Sequence, residues 1–212
     1  MASLIGLGGS ALVAVTALLL LLRVRRRRLA ARLAVAAGLA ALLALPVEGL
    51  PLASYVRGVI GDLSVTTLLL LAFAAASELL DRDFLDHRNR SALMIAALAG
   101  GLLLYPFALG VSPFDPYALG FGSRAFQAAL LAAALVAWRL DLHAAALGLS
   151  LAVAAYALGL LESNNLWDYL IDPVLVMISV AWLAGEAIRR LRPAHAGPDG
   201  VLHAANADTP QT

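Results

Sequence analysis

The chain has 212 residues, 62% of them hydrophobic and 14% charged, with a mean hydropathy of +0.86. Soluble globular domains carry roughly 25% charged residues, so the chain cannot supply the polar shell of a soluble enzyme, and one integral membrane domain is expected. A net charge of +1 with no basic soluble surface excludes nucleic acid as a partner, and zero Cys removes disulfides, thiolate nucleophiles and Cys-based metal sites.

About 20 apolar residues cross a bilayer as a helix. Residues 3–22 form the first such run, and RVRRRR at 23–28 stops it. It is not a cleavable signal peptide, because it is too long and its basic cluster follows the run. The second run, 29–46, carries Arg32 near one end, where it is expected to snorkel. Pro46, Glu48, Gly49 and Pro51 then break the helix, and residues 52–61 are too short to span, which makes them interfacial, with Tyr55 and Arg57 at headgroup level. The third run, 62–80, starts at Asp62 and Ser64, either of which suits an N-cap. After the loop DRDFLDHRNR at 81–90, the fourth run, 91–109, holds Gly100-Gly101 near its centre and Tyr105-Pro106 near its far end. Residues 110–124 are a Gly- and Pro-rich loop. The fifth run is 125–138, the sixth 143–161 and the seventh 173–188, with ESNNLWDYLIDP at 162–173 between the last two. Residues 193–212 lack apolar mass and periodicity and are expected to be a disordered tail.

These runs predict an all-α polytopic bundle of about seven transmembrane helices over residues 1–192. Arginine fixes its expected direction. Thirteen of the fifteen Arg fall at one end of the runs, leaving only Arg57 and Arg124 at the other. Basic loops resist translocation, so the N-terminus is expected outside, the C-terminus and tail in the cytoplasm, and the protein in a plasma (inner) membrane. Thirteen Arg against eight acids gives the inner end +5, and two against six gives the outer end −4. The lipid bilayer is the first expected partner, since a basic inner face attracts anionic headgroups.

Ala144, Gly148 and Ala152 recur every four residues in the sixth run. That small-residue ridge lets another helix approach closely, either within the chain or across a homodimer.

Chemistry is sparse. The centre of every run is free of ionisable residues, which argues against ion-coupled transport. Near the inner ends, Glu78 is placed to pair with Arg82, and Glu186 with Arg189 and Arg190. Asp81, Asp83, Asp86 and His87 could hold a divalent cation, but the interleaved Arg82, Arg88 and Arg90 neutralise that loop, and no metal or cofactor is expected. At the outer end, Glu48, Asp62, Asp115, Glu162, Asp168 and Asp172 come from separate segments, with Arg57, Arg124, Tyr55, Tyr117, Asn164, Asn165, Trp167 and Tyr169 among them. Such a set suits a carbohydrate or lipid-headgroup site, with Asp115, Asp168 or Asp172 as the catalytic carboxylate. Binding would fall to Arg57, Arg124, Asp62, Glu162, Trp167 and Tyr169. The plainer reading makes Asp62 and Asp172 helix caps, Asn165 and Asp168 a capping box, and Trp167 and Tyr169 part of an aromatic belt. Arg57 and Arg124 are expected to pair with these acids, Asp168 and Asp172 facing one of them, and Asp62 or Asp115 the other. All four histidines fall at the inner end, and no HExxH, GxSxG, GxGxxG or P-loop pattern occurs.

The function expected by elimination is a non-catalytic membrane subunit that offers loops or helix faces to a membrane or periplasmic protein. The alternatives are a membrane enzyme acting on a lipid-linked phosphate or sugar at the outer face and, third, a solute channel.

Overall fold

The computed structural model describes residues 2–110, 113 and 115–191. The expected tail lies outside these, as do Val111, Ser112 and Phe114 of the Gly- and Pro-rich loop. The described chain is helical nearly throughout. In order come α1 (Ala2–Leu21), α2 (Leu29–Ala44), α3 (Leu52–Ile60), α4 (Val65–Leu80), α5 (His87–Ala108), α6 (Arg124–Arg139), α7 (His143–Ala157), α8 (Leu166–Leu170) and α9 (Pro173–Leu191). Between α2 and α3, the two-residue strands β1 (Pro46–Val47) and β2 (Leu50–Pro51) pair antiparallel. Glu48 and Gly49 both take positive φ at their turn, the geometry a tight hairpin needs.

Helix boundaries follow local chemistry. Ser64, not Asp62, caps α4, its hydroxyl accepting from the Thr67 amide at 3.1 Å. Asp86 caps α5 through the Asn89 amide at 3.0 Å, so that helix starts earlier than the apolar run suggests. Ser123 caps α6 in the same way. Gly159 at φ 59° follows the end of α7 and shortens it relative to the expected run.

One helix among the described residues, over His87–Phe107, is long and apolar enough to cross a membrane. Four more apolar helices are shorter, over Ile5–Leu21, Leu29–Ala44, Val65–Leu80 and His143–Ala157. A 16-residue helix such as α4 rises only about 24 Å at ~1.5 Å per residue, less than the ~30 Å of a hydrocarbon core.

Polar contacts gather the helix ends into two groups. At the arginine-rich end, Arg25 bridges Asp81 at 2.6 Å and Asp83 at 2.7 Å, tying the turn after α1 to the end of α4. Asn89 of α5 accepts from the Ala144 amide of α7 and donates to the Asp141 carbonyl. His87 meets Glu186 of α9 at 3.3 Å. Arg32, 9% exposed, reaches to groups at this same end, the carbonyls of Arg27 and Leu79 and the Asp81 carboxylate at 3.4 Å. One expectation needs correcting here. Glu78 accepts from the Arg25 backbone amide instead of pairing with Arg82. Glu186 does pair with Arg189 and Arg190.

The interior is built by close backbone approach. Ala144, Gly148 and Ala152 are all buried. A Cβ on Gly148 would lie 3.6 Å from Thr66 and 3.8 Å from Leu69, so the ridge faces α4 within the chain. Gly101 of α5 receives Val176 of α9 so closely that an added Cβ would fall 2.6 Å from it. Gly100 takes Ile171 on the same helix.

Candidate functional site

The opposite end of the bundle holds a second set of carboxylates, most of them engaged by structural partners. Arg57, on the short amphipathic α3, donates to both oxygens of Asp62 at 2.7 and 2.9 Å, and to Glu162 at 2.9 Å. Bidentate geometry makes this a strong, oriented pair, and these bonds, Asp62 first, raise the Arg57 pKa above its ordinary value. The pair lies directly on the backbone of α1. A Cβ on Gly6 would come within 2.5 Å of Asp62 Oδ1 and 2.6 Å of Arg57 Nε, so only glycine leaves room.

Asp172 is 5% exposed and meets no cation among the described residues. Its Oδ1 accepts from the Leu175 amide at 2.8 Å, capping α9 as expected. Its Oδ2 accepts from the Ser64 amide at 2.7 Å and the Thr67 hydroxyl at 2.5 Å, so the same carboxylate also closes the start of α4. Three donors offset the cost of burying the charge, since bonds to an ionised acceptor contribute about 1.5–3 kcal/mol each.

Asp168 and Asn165 form a relay and not a direct capping box. Asn165 caps α8 through the Trp167 amide at 2.9 Å, while its own amide donates to the Ser163 hydroxyl at 3.0 Å. That hydroxyl passes its proton-donating role on to Asp168. The Tyr117 hydroxyl donates to the same Asp168 oxygen at 2.9 Å. Burial and this bond push the Tyr117 pKa up to about 12, so it remains a donor at neutral pH. Asn165 is fully buried and its amide donates to the Tyr117 carbonyl at 2.9 Å. Gly120 sits hard against its carboxamide, where a Cβ would collide.

Trp167 and Tyr169 are 8% and 1% exposed, so they belong to the core and not to an aromatic belt. The Trp167 indole donates to the Pro116 carbonyl at 2.9 Å and its ring meets Phe126 at 4.8 Å. The Tyr169 hydroxyl accepts from the Leu161 amide at 3.1 Å, and burial is the main reason its pKa is raised. Asp115 is exposed and caps the 3₁₀ turn Pro116–Gly120 through the Tyr117 amide. Arg124 is exposed at the start of α6 and makes no ion pair among the described residues. The expected pairing of Asp168 and Asp172 with an arginine is therefore replaced by neutral donors, and at this end, among the described residues, only Asp62 and Glu162 receive a guanidinium.

A cavity of about 340 Å³ opens at this end, lined by Asp62, Asp168, Asp172, Tyr105, Tyr117 and Ser163 above apolar walls. Of the three proposed catalytic carboxylates, Asp168 and Asp172 reach it and Asp115 does not. Arg124, Trp167 and Tyr169 do not line it either. Thr67 and Ser163 went unread in the sequence, and Ser64 and Tyr105 were read only as a helix cap and as part of a run's end, because a hydroxyl in an apolar run carries no charge pattern. The Tyr105-Pro106 step near the end of the fourth run was the one available signal for Tyr105. No protein-family model matches the chain, and neither a curated protein nor a solved structure matches it.

Proposed function

We propose that this chain is a seven-span inner-membrane protein, N-terminus out and C-terminus in, that acts as a non-catalytic subunit or partner-binding protein. Membrane embedding is supported by large apolar side chains turned outward along the helices, such as Leu21, Leu102, Leu135 and Met177 at 76%, 63%, 69% and 71% exposure. Contiguous apolar surface of that kind needs lipid or protein cover. The alternation of helix ends between an arginine-rich and a carboxylate-rich group supports the direction. Short helices are accommodated by local bilayer thinning or flanking-residue snorkelling. Reporter fusions test this. A cytoplasm-only fluorophore should light up after residue 28, near 87 and beyond 192. Activity of a periplasmic reporter at Thr212 overturns it.

The non-catalytic role is carried by one observation: of the carboxylates lining the cavity, Asp62 and Asp172 have both oxygens engaged in an ion pair or in caps, and Asp168, open only at Oδ1 among the described residues, has no histidine near it. A general base needs an uncommitted lone pair near a nucleophile, and the histidines among the described residues, His87 and His143, lie at the other end. The outward apolar residues Val59, Leu109 and Phe121 of the carboxylate-rich end, 86%, 84% and 59% exposed, give a partner something to hold. A photo-cross-linking residue at Val59 should yield a discrete heteromeric adduct in intact membranes. Adducts with lipid alone overturn the partner reading.

An enzyme acting on a lipid-linked phosphate or sugar is the second reading, favoured by the cavity itself. Its phosphate form is weakened because Arg57 is committed to Asp62 and Glu162, and Arg124 stands outside the cavity.

A further inference from the structure

A second cavity, of about 210 Å³, lies beside the first, and Ile171 lines both. Leucines form much of its wall, but Ala96, Ala97 and Gly100 of α5 and Ala145 and Gly148 of α7 leave it small side chains on two helices, with Trp167 at one side. Side chains this short cannot fill the groove between two helices, so the hollow follows from the same residues that let the backbones approach. Ile171 rests on Gly100 between the two spaces, and a rotamer change there joins them. A polar chamber continued by a dry, narrow one has the form of a site for a molecule with a head and a chain.

The charge of the head can be read from the walls. Asp62 is offset by Arg57, but Asp168 and Asp172 have no cation among the described residues. Asp172 has both oxygens engaged. Asp168 has both its bonds on Oδ2, leaving Oδ1 without one among the described residues. Tyr105 also lines the chamber, and its hydroxyl oxygen is buried with no hydrogen-bond partner, within electrostatic reach of both carboxylates. An anionic head would meet two like charges and no free guanidinium. A neutral polyol would leave the two charges as they are. An ammonium supplies the missing charge and carries donors enough for both Asp168 Oδ1 and the Tyr105 hydroxyl.

We propose that the two cavities form one binding site for a cationic amphiphile, an alkyl chain bearing a primary ammonium. The ammonium lies between Asp168 and Tyr105, and the chain passes Ile171 into the small-residue cavity. This rests on the membrane-embedded reading, because the chain enters from the bilayer.

The test uses the full chain in phosphatidylcholine nanodiscs, with Trp138→Phe and Trp182→Phe leaving Trp167 as the reporter beside the apolar cavity. Decylammonium should change its emission saturably and bind at least about tenfold more tightly than decanoate or decyl glucoside. Tyr105→Phe removes a hydroxyl that holds nothing, and Ala96→Leu fills the second cavity from an exposed position; each should weaken binding by about threefold or more with the fold retained. Asp168→Asn should abolish the preference for ammonium over carboxylate. Equal affinity for decylammonium and decanoate, tighter binding of the glucoside, or full binding in the Tyr105→Phe, Ala96→Leu double variant overturns the proposal. A chain that fails to co-elute with nanodiscs overturns the membrane reading as well, whereas one that inserts without selectivity overturns the site alone.

Discussion

The two ends of this bundle use charge in opposite ways. At the arginine-rich end the Arg25 ion pairs are open to water: Arg25, Asp81 and Asp83 have side chains 37%, 52% and 66% exposed. At the carboxylate-rich end the charge is taken inside, with Asp172 at 5% exposure and held by neutral donors from α4 and α9. Exposed pairs contribute little because water and salt screen them. A buried carboxylate with all its donors in place fixes geometry, because losing any one partner leaves an unsatisfied group in a dry site. Rigidity should therefore concentrate at one end.

Five measurements break or sharpen that contrast. The largest effect is expected from Asp172→Asn. A carboxamide has one accepting oxygen where three donors converge, so one of the two helix starts loses its cap. Unfolding in nanodiscs should become easier by about 3 kcal/mol, and a change within error would show that the caps are redundant. Arg57→Met comes next, at about 2 kcal/mol, because it leaves Asp62 against the α1 backbone without its bidentate partner. The contrast weakens if this variant melts with the wild type.

Gly148→Leu should destabilise by about 1–2 kcal/mol through overpacking against Thr66 and Leu69, while Gly148→Ala should be close to neutral, since its Cβ meets only ordinary contacts. Equal stability of the Leu variant would place the ridge against lipid. The smallest effect belongs to the arginine-rich end, where Arg25→Ala should leave the global melting unchanged. Asp81, through Arg25, and Asp86, through the Asn89 amide, are held below the ordinary aspartate value. A depressed folded pKa contributes stability above the unfolded value and loses it as pH falls through the folded one. Hydrogen exchange at the Asn89 amide should therefore accelerate only below the ordinary aspartate range. Acceleration at neutral pH would mean that the cap is not what protects it.

The helices were legible in the sequence because their punctuation is local. Arg23 to Arg28, Pro46, Ser64 and Pro173 stop or start apolar runs by rules that need only neighbours in sequence, and most boundaries fall within a few residues of those expected. Partnerships were legible only where both members were charged and near in sequence, as for Glu186 with Arg189 and Arg190. Asp168 and Asp172 were expected to find an arginine, yet their partners are the hydroxyls of Ser163, Tyr117 and Thr67 and backbone amides. Neutral donors leave no charge pattern, and a backbone amide leaves no trace in the residue string. Trp167 and Tyr169 were misplaced for a related reason. An aromatic pair at the end of a span suits a headgroup belt, and only the inward turn of α8 decides otherwise.

The shared cap at Asp172 also imposes a schedule. The Ser64 amide takes its partner from a residue 108 positions further along the chain. At roughly 5–20 residues per second of synthesis, the start of α4 waits on the order of 5–20 seconds for the carboxylate that completes it. Until then the Ser64 amide and the Thr67 hydroxyl must donate to water in its place. A ribosome pause or a truncation before Asp172 would thus leave an early helix unfinished, so that the last segment to emerge settles one of the first.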